Sequence, residues 1–253
     1  VNDPILVTGF QRSGTTALAY ILNRHIPKFM NETNIMKLQI RDYLIMNSEI
    51  SHMMKNRYMF NLDLTDWDFI SESIKKSYRK FFDTEMYKHH FTIDEKGQDT
   101  TILGDFKPDN QYHDMWGDKI TNFANQVPAF HRLFPESKII YVIRNGINCV
   151  ASNLRMDWGD EDYLWKRWIS EIKTYKSWAN HIPHLCIEQS DLRYTFSNIP
   201  NYLGIDIDER LKGLFVHKAG SKDEKPAIKE TDYKKYITHV PIEAHELIEE
   251  MEL

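Results

Sequence analysis

The sequence has only two cysteines, Cys149 and Cys186, among its 253 residues. That is too few for a disulfide framework. Each stands in an apolar run, so both are expected to be buried free thiols, which fits a reducing, cytoplasmic setting. No apolar run approaches the roughly 18 residues that a membrane span needs, and no leader pattern opens the chain. There is no basic excess either: 32 Lys and Arg stand against 37 Asp and Glu, a net charge of −5. This balance argues against a general nucleic-acid partner. It leaves room for a local basic pocket, because net charge says nothing about distribution. Internal repeats and low-complexity tracts are absent, and residues 1–253 are expected to form a single domain.

What is present is an alternation of short apolar β-branched runs with helical stretches. Pro4 to Thr8 reads as a buried strand ending at Gly9, and Thr16 to Leu22 as the helix that follows. Thr101-Ile102-Leu103-Gly104 is a second candidate strand. Lys138 to Ile143 is the strongest strand, followed by a helix through Val150 and Leu154. Glu161 to Trp178 reads as a long helix whose Trp165 and Trp168 belong to packing rather than to ligand stacking. His184 to Glu188 is the last strand, with a helix starting near Ser190, and the stretch after Pro241 is helical. Ile120 to Phe134 is read as a helix bent or broken at Pro128, and Thr65 to His89 as another helix. The alternation predicts an α/β fold: a P-loop-type domain with a central parallel sheet flanked by helices on both faces. The region from about 30 to 60, rich in Met and Asn, reads as loops and short helices. Its methionines are expected mainly as core filler. Asn31-Glu32-Thr33 is a glycosylation triplet to which little weight attaches.

Two clusters carry chemistry. Gly9-Phe10-Gln11-Arg12-Ser13-Gly14-Thr15-Thr16 joins a strand to a helix with the glycine spacing of a Walker A loop. Such a loop turns backbone N–H groups and a helix N-terminus towards one phosphate. The Walker lysine is missing, because Thr15 stands in its place, and a cation appears instead at Arg12. That counts against a P-loop kinase acting on a magnesium-bound triphosphate. A non-catalytic nucleotide-binding module is the other alternative. The second cluster is Arg144 at the end of the strongest strand, with Ser152 in the next helix. Ligands of open α/β sheets bind outside the carboxyl ends of the strands, where Arg144 and the loop both lie. The guanidinium fork is also well shaped for a phosphate.

Together these clusters resemble the two nucleotide motifs of the sulfotransferase superfamily, which uses 3′-phosphoadenosine 5′-phosphosulfate (PAPS). Arg12-Ser13-Gly14-Thr15-Thr16 is similar to its first motif. The strand Ile139 to Ile143 with Arg144 and Ser152 is similar to its second. Gly104-Asp105-Phe106-Lys107-Pro108 is similar to a Gly-[Asp/Glu]-Lys-[Ser/Thr]-Pro stretch of carbohydrate and bacterial members, departing from it at Phe106. Tyr202-Leu203-Gly204-Ile205 is similar to a late segment of the family.

The resemblance implies a nucleotide core at about 4–25, 101–108, 138–156 and 184–222, with acceptor-pocket helices and loops at about 30–95. It implies that Gln11, Arg12, Ser13, Gly14, Thr15 and Thr16 hold the 5′-phosphate, and that Arg144 and Ser152 hold the 3′-phosphate. Lys218 and Ser221 are further candidates in a late basic loop. Arg12 would neutralise the leaving oxygen; the family commonly has Lys there. Asp105 is the expected base, with His113 as the alternative, and Lys107 would help neutralise the transferring group. The reaction implied is in-line transfer of a sulfuryl group to a hydroxyl or amine of a small acceptor. The leaving product is 3′,5′-bisphosphoadenosine, and no metal is called for.

Overall fold

The computed structural model describes residues 3–26, 28–32, 36–42, 67–82, 112, 114–190, 196–207 and 235–253. Its centre is a five-stranded sheet in the order β2-β3-β1-β4-β5. The strands are β1 (Ile5–Gly9), β2 (Lys28–Asn31), β3 (Trp116–Thr121), β4 (Lys138–Ile143) and β5 (Leu185–Glu188). Every pairing is parallel. The helices are α1 (Thr15–His25), α2 (36–42), α3 (Trp67–Phe82), α4 (Val127–Leu133), α5 (Gly146–Arg155), α6 (Glu161–Ala179), α7 (Asn198–Leu203) and α8 (Ile242–Glu250).

The two-residue period of the strands divides the core between two layers. Leu6, Ile139, Tyr141 and Ile143 face a cluster built with α3, α4, α6 and α8. Ile5, Val7, Ile140 and Val142 face Leu18, Ile21 and Leu22 of α1 and Ile199 and Leu203 of α7. Both faces are therefore covered, as strands without a polar side require. Trp165 and Trp168 are buried and meet edge to face, with ring centroids 6.1 Å apart. They press so closely on Gly146 that a Cβ there would lie 2.9 Å from both rings. This contact seats the start of α5, and with it the end of β4, against α6.

Three expectations change. Ile120 belongs to β3, not to a helix, and the helix begins only at Val127. Pro128 starts that helix instead of breaking it, because a proline in the first turn has no intrahelical acceptor to lose. β3 escapes the alternation rule because it carries Asp118 and Lys119, both buried; Asp118 is held by the Tyr78 hydroxyl at 2.8 Å. β2 was not anticipated: it has only four residues, and its last two, Met30 and Asn31, fall in the stretch read as loops and short helices. Cys186 is exposed, unlike the buried Cys149. It lies on the edge strand β5 and alternates with Ile187, which takes the core side. Met30 and Met36 do fill the core. The candidate strand at 101–104 lies outside the described residues.

Candidate active site

The carboxyl edge of the sheet gathers three groups of side chains. The first is the loop after β1. Gly9 has φ 150°, and a Cβ there would sit 2.1 Å from the Val142 carbonyl oxygen, so no side chain fits between β1 and β4. Arg12 (φ 69°) and Gly14 (φ 100°) adopt left-handed backbone, which curls the chain back on itself. The Ser13 N–H closes this curl onto the Phe10 carbonyl at 3.1 Å. Gly14 is the N-cap of α1, with no side-chain cap and no acidic residue in the first turn. Helix geometry leaves the N–H groups of Gly14, Thr15 and Thr16 without intrahelical acceptors, at the positive end of the helix dipole. The Ser13 hydroxyl is buried and, among the described residues, has no hydrogen-bond partner. From the other side Asn122 fastens the loop: its N–H donates to the Gly9 carbonyl at 3.0 Å, and its Oδ1 accepts from the Gln11 N–H at 3.3 Å.

The second group comes from β4 and α5. Arg144 Nη1 donates to the Arg12 carbonyl at 2.9 Å. Arg12 Nε in turn donates to Ser152 Oγ at 3.0 Å. Two segments more than 130 residues apart in the chain thus meet as one basic pocket. The Arg12 guanidinium also lies over the Trp158 ring, 5.5 Å from its centroid. Cys149 lies beneath this pocket, and burial pushes its thiol up to about 12 despite the nearby charges of Arg144 and Arg12. It is an inert neutral thiol there.

The third group stands at the ends of β2 and β3. Glu32, with φ 59°, follows β2 directly. Its N–H donates to the Lys119 carbonyl at 2.8 Å, and its carboxylate accepts from the Thr121 hydroxyl. Lys119 Nζ lies 3.1 Å from the same carboxylate. Burial pushes the Glu32 carboxyl up, but the Thr121 hydroxyl and the Lys119 charge outweigh it and hold the group below its usual range. Burial also lowers Lys119, against the pull of Glu32. Thr121 is the register partner of Gly9. Through the Thr121 hydroxyl the Glu32 carboxylate is held against β3, the strand that pairs with β1 where the loop begins. Lys37 of α2 donates to the Thr121 carbonyl at 3.1 Å and adds a further cation beside this pair.

Asp105, Lys107, His113, Lys218 and Ser221 lie outside the described residues. Glu32, Lys119 and Asn122 were missed in the sequence. A signal for Lys119 existed, since Gly117-Asp118-Lys119 repeats the Gly-Asp-Lys order without the interruption found at 104–107. Glu32 was overlooked inside a triplet read only as a glycosylation site.

A parallel sheet whose central strand opens into a glycine loop braced by Arg144 defines an α/β protein of the P-loop type. Residues 4–194 match the model of the sulfotransferase family, and the chain belongs to that family. Among the solved structures that share its fold are two sulfotransferase domains. The sulfotransferase domain of the Synechococcus PCC 7002 olefin synthase is 14% identical, with a TM-score of 0.57 over 100% of this chain and 95% of that one. The sulfotransferase domain from the curacin biosynthetic pathway is 15% identical, with a TM-score of 0.57 over 100% of this chain and 98% of that one. A search of curated proteins finds no match. Among the described residues no helix is long and apolar enough to cross a membrane.

Proposed function

We propose that this chain transfers a sulfuryl group from PAPS to a hydroxyl or amine of a small acceptor. The observation that carries the reading is the joining of the two motifs through Arg144, Arg12 and Ser152. An adenosine bearing phosphates at both 3′ and 5′ needs two anion sites within one nucleoside's reach. The donor set fits such a ligand: two guanidiniums, a helix N-terminus free of acids, and a buried hydroxyl at Ser13 that has no partner among the described residues.

In this reading the N–H groups of Gly14, Thr15 and Thr16 and the two threonine hydroxyls hold the 5′-phosphate. The Ser13 N–H is spent inside the turn, so Ser13 contributes its hydroxyl. Arg144 and Ser152 hold the 3′-phosphate. Bound PAPS supplies an activated sulfuryl group. Arg12 neutralises the charge that gathers on the departing phosphate oxygen. Glu32, ionised and hydrogen-bonded, takes the proton of the attacking acceptor, and Lys119 balances charge beside it. Glu32 joins Asp105 and His113 as a candidate for the base, because its carboxylate is hydrogen-bonded to the strand that borders the loop.

The test is ligand-induced thermal stabilisation. 3′,5′-Bisphosphoadenosine at a hundred times its Kd should stabilise the chain by about 2.7 kcal/mol, and magnesium ATP should do far less. Arg144→Ala should weaken bisphosphoadenosine binding by roughly thirtyfold or more, through loss of a charge-assisted phosphate contact. Equal stabilisation by magnesium ATP and bisphosphoadenosine would rule the reading out.

A further inference from the structure

We propose that Trp158 is a positioning residue that holds the Arg12 guanidinium in its working place. The inference rests on the sulfotransfer reading for what Arg12 does, but the contact itself stands apart from it. Trp158 has no evident duty in the core, being 44% exposed. Yet its backbone is firmly set. Its N–H donates to the Asn153 carbonyl at 3.2 Å, and the N–H of Asp157 donates to the Leu154 carbonyl at 3.0 Å. Asp157 and Gly159 both have positive φ, 58° and 146°. A Cβ at Gly159 would come within 2.9 Å of the Tyr163 ring. Asp160 then caps α6 by accepting from the Tyr163 N–H at 2.8 Å. This tight turn between two helices presents a large aromatic face to the mouth of the loop after β1, where the Arg12 guanidinium lies over it.

The pairing suits an arginine in particular. Arg12 has a long side chain with much rotamer freedom and stands on left-handed backbone. Ser152 fixes only its Nε. A planar guanidinium stacks on an indole face in a way that a lysine ammonium does not. Ser152 from one side and Trp158 from another fix the position of the fork.

The test uses the full chain and needs no identified acceptor. Released sulfate from labelled PAPS reports slow transfer to water, calorimetry with bisphosphoadenosine reports binding, and the wild-type minus Trp158→Phe emission difference isolates this indole from the other tryptophans. Trp158→Leu is expected to lower turnover about tenfold and Trp158→Phe about twofold, with the bisphosphoadenosine Kd unchanged within twofold. In an Arg12→Ala background Trp158→Leu should have no further effect on turnover. Arg12→Ala alone should alter the Trp158 emission of the nucleotide-free protein. Full turnover in Trp158→Leu, or an undiminished penalty in the Arg12→Ala background, would overturn the proposal. So would an indole emission indifferent to Arg12. Absence of bisphosphoadenosine binding by the wild type would instead remove the sulfotransfer reading, while the emission experiment still judges the contact.

Discussion

The two halves of the carboxyl edge are built in opposite ways. The half around β1 and β4 is shaped by backbone: a glycine loop, a helix N-terminus, and side chains that come from two contiguous segments. The half around β2 and β3 is made of side chains from separate elements, with Glu32 after β2, Lys119 and Thr121 on β3, and Lys37 on α2. The first half depends on conformations that few residues adopt. The second depends on charges that tune one another. A backbone site leaves a compact record in the sequence because its constraints are local. A side-chain site assembled across strands leaves scattered single residues.

The sharpest way to test the contrast is Gly9→Ala. The added methyl meets the Val142 carbonyl at 2.1 Å on unfavourable backbone. Denaturant unfolding should show a loss on the order of 3 kcal/mol, with nucleotide binding lost as well. A neutral result would mean that the loop is not constrained by its backbone. In the other half, Glu32→Gln keeps the shape but removes the charge. Turnover with a working acceptor should fall about a hundredfold while bisphosphoadenosine affinity stays within twofold. A parallel loss of nucleotide affinity would show that the halves are not separable.

A smaller effect follows from the ionisation of Glu32. Its folded carboxyl titrates below the free value of 4.5. The stabilisation this confers is complete above about pH 4.5 and is lost as the pH falls through the folded value. Wild type should therefore lose stability on acidification in this range more steeply than Glu32→Gln. Matching acid-unfolding curves for the two would remove the Glu32–Lys119 pair as an electrostatic contributor.

The chain could be read well where periodicity and spacing act over a few residues. β1, β4, α5, α6 and the loop at 9–16 are of this kind. So is the placing of Trp165 and Trp168 in the core, where they are almost fully buried. It was misread at β3, whose buried Asp118 and Lys119 break the apolar pattern of a central strand. Their compensation comes from Tyr78 and Glu32, which lie 40 and 87 positions away. Local pattern cannot reveal a partner at that distance.

By itself the sequence determined the parallel α/β class, the glycine loop between β1 and α1 and the presence of Arg144 and Ser152, since each is a matter of residue type at short spacing. Only the tertiary structure decided that Arg144 braces the loop at Arg12, that Ser152 and Trp158 share the Arg12 guanidinium, and that Glu32 and Lys119 form a pair at the ends of β2 and β3. The order of strands sets which carboxyl ends become neighbours, and an ion pair or a stacked guanidinium exists only once the sheet has brought its members within a few ångströms of each other.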